Sequence, residues 1–186
     1  MIYLDYSANT PVDAQVLQRF CEIEQHCPGN ANARHQAGVT AKAAIEQATR
    51  SIAQSLGVQP AEIIYTSGAS EANNFALKSL AALGRPVGRH IISTPLEHSS
   101  VSSSLTALQQ QGYEIDFVDI KQDGTVDLEH LKRLLRPDTI LAAVTAVDSE
   151  LGTVQPIAEI ADLLKAYPAC RFHVDATQAL SLIHIS

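Results

Sequence analysis

The sequence predicts an α/β fold, with a mostly parallel sheet and flanking helices. Short apolar runs rich in Ile, Val, Phe or Tyr alternate along the chain with segments whose apolar residues recur at helical spacing. The 186 residues are 46% hydrophobic and 18% charged, which supplies a packed core and excludes a disordered chain.

Five segments have the length and composition of buried strands. Each is short, rich in β-branched or aromatic residues, and separated from the next by a segment of helical period. From residue 60 onward the predicted order is βαβαβαβαβ. The five segments are residues 62–66, 89–93, 114–118, 139–145 and 171–174.

Six helices are predicted before and between these strands. The first has Thr10 as its N-cap, Pro11 at its first position and Asp13 in its first turn. The second and third end at Gly57 and Gly84, which are predicted to be glycine C-caps. The remaining three helices are centred on residues 101–108, 128–135 and 157–164.

Composition and charge exclude several classes of function. With 13 Lys and Arg against 20 Asp and Glu, the formal charge is −7, so no basic face is expected for nucleic acid or an anionic membrane. No apolar run approaches the roughly 20 residues that span a bilayer, and no signal peptide is visible at the start. The three cysteines show no disulfide or zinc-ligand pattern. We therefore expect a soluble, cytoplasmic protein with no metal site.

A turn of small residues precedes the third predicted helix. It consists of Ser67, Gly68, Ala69, Ser70 and Glu71. Free backbone N–H groups, the positive end of the helix dipole and two hydroxyls suit this turn to bind a phosphate group. It matches neither a dinucleotide fingerprint nor a P-loop. An ordinary serine-capped helix start is the alternative.

Three further polar segments follow predicted strands, which is where ligands bind in open α/β sheets. Asp175 is expected either to face a cation or metal, or to cap the next turn. His98 is either a packed or capping residue or a catalytic one. Residues 148–152 by themselves are typical of a polar loop with a glycine turn.

Taken together, these features suit pyridoxal 5′-phosphate as a ligand. This cofactor needs a phosphate seat, an acid that keeps its pyridinium nitrogen protonated, and a flat group over its ring. Ser70, Asp175 and His98 would supply these three in turn. The lysine that forms a Schiff base with the cofactor is missing from the pattern.

Five motifs in register resemble cysteine desulfurases of the class V aminotransferase superfamily. They follow one another in family order over residues 1–179. The motifs are Tyr3-Leu4-Asp5-Tyr6-Ser7-Ala8-Asn9-Thr10-Pro11, Gly29-Asn30 with His35 and Gly38, Ser67-Gly68-Ala69-Ser70-Glu71, Glu97-His98, and His173-Val174-Asp175-Ala176-Thr177-Gln178.

This resemblance implies the large domain of an aspartate-aminotransferase-like fold, the type I fold of pyridoxal-phosphate transferases. It also implies an enzyme that takes sulfur from L-cysteine and releases L-alanine. The sulfur would remain as an enzyme persulfide for iron–sulfur cluster assembly or thiolation. The whole enzyme is expected to be a homodimer that passes sulfur to an acceptor or iron–sulfur scaffold protein.

The resemblance assigns roles to individual residues. Ala69 and Ser70 would hold the cofactor phosphate. His98 would stack on the pyridine ring and assist proton transfer, and Asp175 would pair with the ring nitrogen. Gln178 would hydrogen-bond the phenolic oxygen. Outside these motifs, Asp148-Ser149-Glu150 stands where the family usually has Asn-Asn-Glu, so Ser149 takes the place of a cofactor-binding asparagine. Ala8, Asn9, Asn30 and His35, from the first two motifs, would border the substrate.

The resemblance stops before the Schiff-base lysine, the catalytic cysteine and the substrate-binding arginine of the family. The chain is therefore interpreted as truncated and inactive by itself. Residues 1–15 are interpreted as the N-terminal arm of the small domain and residues 16–186 as an incomplete large domain. Residues 181–186 do not continue the family pattern and are interpreted as a non-native tail.

Two other functions stay open. Another class V enzyme, an aminotransferase or a selenocysteine lyase, would share the cofactor residues. A non-catalytic phosphate-binding α/β module would bind its ligand without a lysine.

Overall fold

A computed structural model describes residues 2–180, which form two compact units, residues 2–65 and 66–180. The interpreted tail at residues 181–186 lies outside the described residues. The domain boundary after residue 15 stays a prediction.

The first unit contains two helices and the loops around them. α1 spans Ala14–His26 and α2 spans Gln36–Leu56. The prediction that Thr10 caps α1 is wrong, because the Asp13 carboxylate lies directly before the first turn and accepts hydrogen bonds from two of its N–H groups. The predicted C-cap of α2 is confirmed: Gly57 has a φ of +66°, the left-handed conformation that glycine adopts most easily.

The first predicted strand, residues 62–66, is wrong. Pro60–Glu62 forms a short 3₁₀ turn and Ile63 is extended, but within residues 2–180 no strand pairs with this segment. Ile64 and Tyr65 are exposed. Composition identifies a segment that is able to form a strand, yet a strand also needs a neighbour for its backbone hydrogen bonds.

Within residues 66–180 the second unit contains a parallel sheet, and four of the five predicted strands are confirmed. The strand order is β2-β1-β3-β4. Because the strands are parallel, their carboxyl ends share one edge of the sheet. The strands are β1 (His90–Ser93), β2 (Glu114–Phe117), β3 (Thr139–Thr145) and β4 (Arg171–Asp175).

Helices cover both faces of this sheet, which confirms the predicted α/β class. Alternate strand residues face opposite sides, so Ile91 packs against α3 and α4 while Ile92 packs against α5 and α6. The helices are α3 (Ala69–Gly84), α4 (Ser99–Gln110), α5 (Leu128–Leu134) and α6 (Ile157–Leu164).

Gly84 ends α3 for a reason other than the predicted one. It is the last helical residue, and the C-cap is Arg85 in a right-handed conformation, so the predicted glycine C-cap is wrong. A Cβ at Gly84 would lie 2.7 Å from Cβ of Ile140 in β3. The glycine therefore permits the close approach of α3 to the sheet.

Candidate functional site

Asp175 is the last residue of β4 and only 7% exposed. Its Oδ1 accepts hydrogen bonds from Thr177 N at 3.0 Å and Thr177 Oγ1 at 2.6 Å, and its Oδ2 accepts one from Asn73 Nδ2 at 2.8 Å. Burial raises the pKa of this carboxyl, but the hydrogen bonds from Thr177 and Asn73 outweigh burial and hold the pKa below its usual value.

Asp175 is therefore a buried carboxylate that accepts hydrogen bonds from two neutral residues, Thr177 and Asn73. Of the two sequence alternatives, the structure shows the turn cap, since Thr177 N donates to Oδ1. Within residues 2–180 no group of three or more His, Cys, Asp or Glu side chains is placed to hold a metal ion.

Asn73 connects Asp175 to α4, whose N-cap is His98. It is buried in the second turn of α3, and its Nδ2 donates to Ser100 Oγ at 3.0 Å as well as to Asp175. Its Oδ1 lies 3.0 Å from Nε2 of His173. Burial lowers the pKa of His173, against the charge of Asp175, so this histidine is neutral and donates its Nε2–H to Asn73.

His98 is the N-cap of α4, and the residue is exposed. Its Nδ1 accepts a hydrogen bond from Ser100 N at 3.2 Å and lies 2.9 Å from Ser100 Oγ. Asp175, Asn73, Ser100 and His98 thus form a continuous chain of hydrogen bonds from the end of β4 to the start of α4. The capping alternative for His98 is what the structure shows, and the ring remains accessible to a ligand.

Glu97 fixes the loop that carries His98. Its Oε1 accepts from Thr94 Oγ1 at 2.7 Å and from Thr145 N, at the end of β3, at 2.8 Å. Its Oε2 is buried with no hydrogen-bond partner among the described residues. Burial is the main cause that raises the pKa of Glu97 to about 7; the nearby charges of Asp175 and Asp148 act in the same direction, and the two hydrogen bonds oppose them.

An open cleft of about 450 Å³ lies beside this loop. His98 and Glu97 line one part of it, and the loop that contains Ser149 lines the other. Asp148 accepts hydrogen bonds from Glu150 N at 3.0 Å and Leu151 N at 2.5 Å, so this loop is a turn held by its own aspartate, as its composition indicates. The fold therefore brings the predicted residues His98 and Ser149 to one cleft.

Ala69 and Ser70 form the first turn of α3, one turn before Asn73. The N-cap is Gly68, with no side-chain cap, so the alternative of a serine-capped helix is not what the structure shows. Glu71 Oε2 accepts from Ser67 N at 2.6 Å, and this hydrogen bond lowers the pKa of Glu71. The N–H groups of Ala69 and Ser70 have no carbonyl four residues earlier in the helix and can bind an anion.

Gln178 lies in the turn that follows β4, where Ala179 N donates to Ala176 O at 2.9 Å. It is half-buried and three residues beyond Asp175. This turn keeps Gln178 at the carboxyl edge of the sheet.

The four predicted substrate residues belong to the first unit. Ala8 N and Asn9 N donate to Asp5 O at 3.2 and 3.3 Å, which closes a turn. Asn30 Oδ1 accepts from Asn32 N at 2.9 Å, and His35 caps α2 through Gly38 N. These residues are held in turns and caps, and their place beside a substrate stays a prediction.

Sequence reasoning missed Asn73 and Ser100. One signal was available for Asn73: Asn73, Leu77 and Ala81 recur every fourth residue and form the buried stripe of α3. An amide on such a stripe needs hydrogen-bond partners, because burying an unpaired polar group is unfavourable.

No helix among the described residues has the length and apolarity needed to cross a membrane.

The family model described as Aminotransferase class-V matches residues 2–186. The chain belongs to the class V aminotransferase family. The cysteine desulfurase IscS of Dechloromonas aromatica is 40% identical to this class V chain over 186 residues, covering 99% of the chain and 46% of the relative.

Solved structures agree with this assignment. A NifS-like protein matches the class V chain with a TM-score of 0.90 at 34% identity, over 93% of this chain and 48% of its own. A structure of SspA in complex with cysteine matches with a TM-score of 0.86 at 35% identity, over 92% of this chain and 49% of its own. The predicted fold is thereby confirmed, and the chain spans about half the length of the relatives it matches.

Proposed function

We propose that the whole protein is a pyridoxal-phosphate-dependent cysteine desulfurase and that this chain supplies much of its cofactor site. The observation that carries the proposal is the hydrogen-bonded chain from Asp175 through Asn73 and Ser100 to His98. It brings an ionised acid and an accessible imidazole to the carboxyl edge of one parallel sheet, beside a helix start that can bind phosphate.

The residues present fit pyridoxal phosphate in charge and in donor chemistry. Asp175 keeps its charge despite burial, which is what a partner for a protonated pyridine nitrogen needs. The first turn of α3 offers the N–H groups of Ala69 and Ser70 and the Ser70 hydroxyl to the phosphate. Gln178 and Ser149 each have a side chain that can donate to a phenolate oxygen.

When bound, the cofactor supplies an electron sink for carbanion chemistry at the substrate α-carbon. The chain's own residues hold and orient it. Asp175 holds the proton on the pyridine nitrogen, α3 anchors the phosphate, and His98 covers the ring and moves a proton near the substrate. Ala8, Asn9, Asn30 and His35 border the substrate in this proposal.

The substrate we propose is L-cysteine, with L-alanine as product and the sulfur leaving on an enzyme cysteine. The names of similar proteins support this choice, since they are cysteine desulfurases or, for SspA, a protein solved in complex with cysteine. We further propose a cytoplasmic homodimer that passes its sulfur to an acceptor or iron–sulfur scaffold protein.

We propose that the lysine and the cysteine of the reaction lie outside this chain. Lys42 and Lys132 each pair with a glutamate of the same helix, and Lys165, the C-cap of α6, pairs with Asp162. Cys170 is buried against the sheet, and burial raises the pKa of its thiol to about 11, which makes it a poor nucleophile. The 186-residue chain alone is therefore expected to be inactive.

An assay of alanine formation tests the function. We expect the whole protein, loaded with pyridoxal phosphate, to convert L-cysteine to L-alanine and to release sulfide when a thiol reductant is present. The Asp175→Asn variant keeps the side chain's size but loses its charge, and we expect alanine formation to fall roughly 100-fold or more.

Asp162→Asn is the matched control, because Asp162 is an exposed residue of α6 paired with Lys165. It should leave the rate unchanged, and the 186-residue chain alone should form no alanine. Cofactor binding without alanine formation would indicate another class V reaction. A whole protein that binds no pyridoxal phosphate would refute the proposal.

A further inference from the structure

The geometry around Asn73 shows which atom donates and which accepts in each hydrogen bond between Asp175 and His98. Asp175 is ionised, so its Oδ2 only accepts, and the atom of Asn73 at 2.8 Å must be the amide nitrogen. The carbonyl oxygen of Asn73 then faces Nε2–H of His173. One amide proton remains, and it points to Ser100 Oγ at 3.0 Å.

This assignment also determines the atom to which the Ser100 hydroxyl donates its proton. Because Ser100 Oγ accepts from Asn73, its own proton is free to be donated, and His98 Nδ1 lies 2.9 Å away. The backbone N–H of Ser100 also donates to Nδ1, at 3.2 Å. Ser100 is buried, so water does not compete readily for its hydroxyl.

Two donors therefore share the lone pair of His98 Nδ1. A ring nitrogen that accepts a hydrogen bond carries no proton, and in a neutral imidazole the proton is then on the other nitrogen. We propose that Ser100, oriented by Asn73, is a positioning residue that holds His98 in the tautomer with its proton on Nε2.

The tautomer decides what His98 offers to a bound ligand. With Nδ1 occupied by Ser100, Nε2–H is the ring's remaining polar group, and it is a donor. His98 lines the cleft with Ser149, so a group bound there meets a hydrogen-bond donor rather than an acceptor. The consequence for catalysis rests on the proposed function, whereas the tautomer itself does not.

Nitrogen-15 NMR of the histidine rings in the whole protein tests the tautomer directly. We expect the Nδ1 shift of His98 to be that of an unprotonated nitrogen and the Nε2 shift that of a protonated one. Ser100→Ala removes the hydroxyl donor but leaves the backbone donor, so we expect the ratio of the two tautomers to change about five-fold. Ser100→Thr keeps a hydroxyl and should restore the original ratio.

Ser103→Ala is the matched control, because Ser103 is exposed in the same helix and should leave the His98 shifts unchanged. The same variants are then assayed for alanine formation, where Ser100→Ala should lower kcat and leave KM for L-cysteine nearly constant. A protonated Nδ1 in the unaltered protein would overturn the inference, even if alanine forms. Absence of alanine formation with the expected shifts would overturn the proposed function alone.

Discussion

Glu97 is a buried carboxyl whose two oxygens have different surroundings. Oε1 accepts two hydrogen bonds that tie the loop before α4 to the end of β3, while Oε2 is buried without a donor among the described residues. An unpartnered carboxylate oxygen in such a place favours the protonated form. The residue next to His98 therefore binds a proton near neutral pH.

This raised pKa makes the stability of the fold depend on pH. The pKa of Glu97 is about 7 in the folded state against an ordinary value of 4.5, so between these values the folded state binds more protons than the unfolded state. The free energy of unfolding should thus fall by about 2–3 kcal/mol, through this group, as pH rises from about 4.5 to about 7.

Urea unfolding of Glu97→Gln between these pH values measures this contribution. The amide keeps an acceptor for Thr94 and Thr145 but has no proton to lose, so the decrease should be absent from the variant. Glu24→Gln, at an exposed position of α1, should keep it. The same pH dependence in Glu97→Gln and in the unaltered chain would contradict the assignment.

At the residue scale, the sequence predicted where the site residues lie in the fold better than it predicted their hydrogen-bond partners. Asp175 and His98 follow strands, and parallel strands place such residues at one edge, so both could be found in advance. Their connection through Asn73 and Ser100 depends on how α3 and α4 pack against each other, which no local pattern encodes. The hydrogen bonds of Asp175 with Thr177 and Asn73 could not be predicted for the same reason.

At the element scale, α3 carries both the proposed phosphate site and the amide that orients the rest. Its position on the sheet is set by close packing near its C-terminus, where Gly84 meets Ile140 of β3. Leu77 and Ala81 are fully buried on the same face. The packing of α3 and the geometry at Asn73 are therefore parts of one arrangement.

Gly84→Ala tests that packing. An added methyl group would lie 2.7 Å from Ile140 Cβ, which is too close, so α3 or β3 must shift. We expect a loss of about 1–3 kcal/mol in the free energy of unfolding, measured as a lower urea midpoint with an unchanged slope. The neighbouring Leu83→Ala, at an exposed site, is the control and should change the midpoint little. A stabilised Gly84→Ala variant would show that helix propensity dominates instead.

Four strands and six helices followed from period and composition, because each carries its own apolar pattern. The failures were at positions where a tertiary partner decides. Residues 62–66 have a strand's composition but no neighbouring strand among the described residues. Gly84 permits close packing against Ile140 and is not the C-cap of α3. Element boundaries also shifted where a side chain nearer the helix, Asp13, supplied the cap.

At the scale of the whole molecule, the chain combines a formal charge of −7 with a proposed anion site. Residues 66–72 contain no Lys or Arg, so the phosphate would be held by N–H groups, a hydroxyl and the dipole of α3. Such a site selects a ligand by hydrogen-bond geometry rather than by net charge.

The chain spans about half the length of the relatives it matches, so we expect its described part to form one side of a larger site. Asp175, His98, Ser149, Gln178 and the start of α3 all belong to the carboxyl edge of one sheet. We therefore expect one cofactor to contact residues from several elements of the second unit at once.

A crystal structure of the whole protein with pyridoxal phosphate tests this claim most directly. We expect the phosphate against the N–H groups of Ala69 and Ser70, and an Asp175 carboxylate oxygen at about 2.7–3.0 Å from the pyridine nitrogen. We also expect the ring of His98 against the face of the cofactor. A cofactor bound elsewhere, or one whose ring nitrogen has no contact with Asp175, would refute the proposed role of this edge of the sheet.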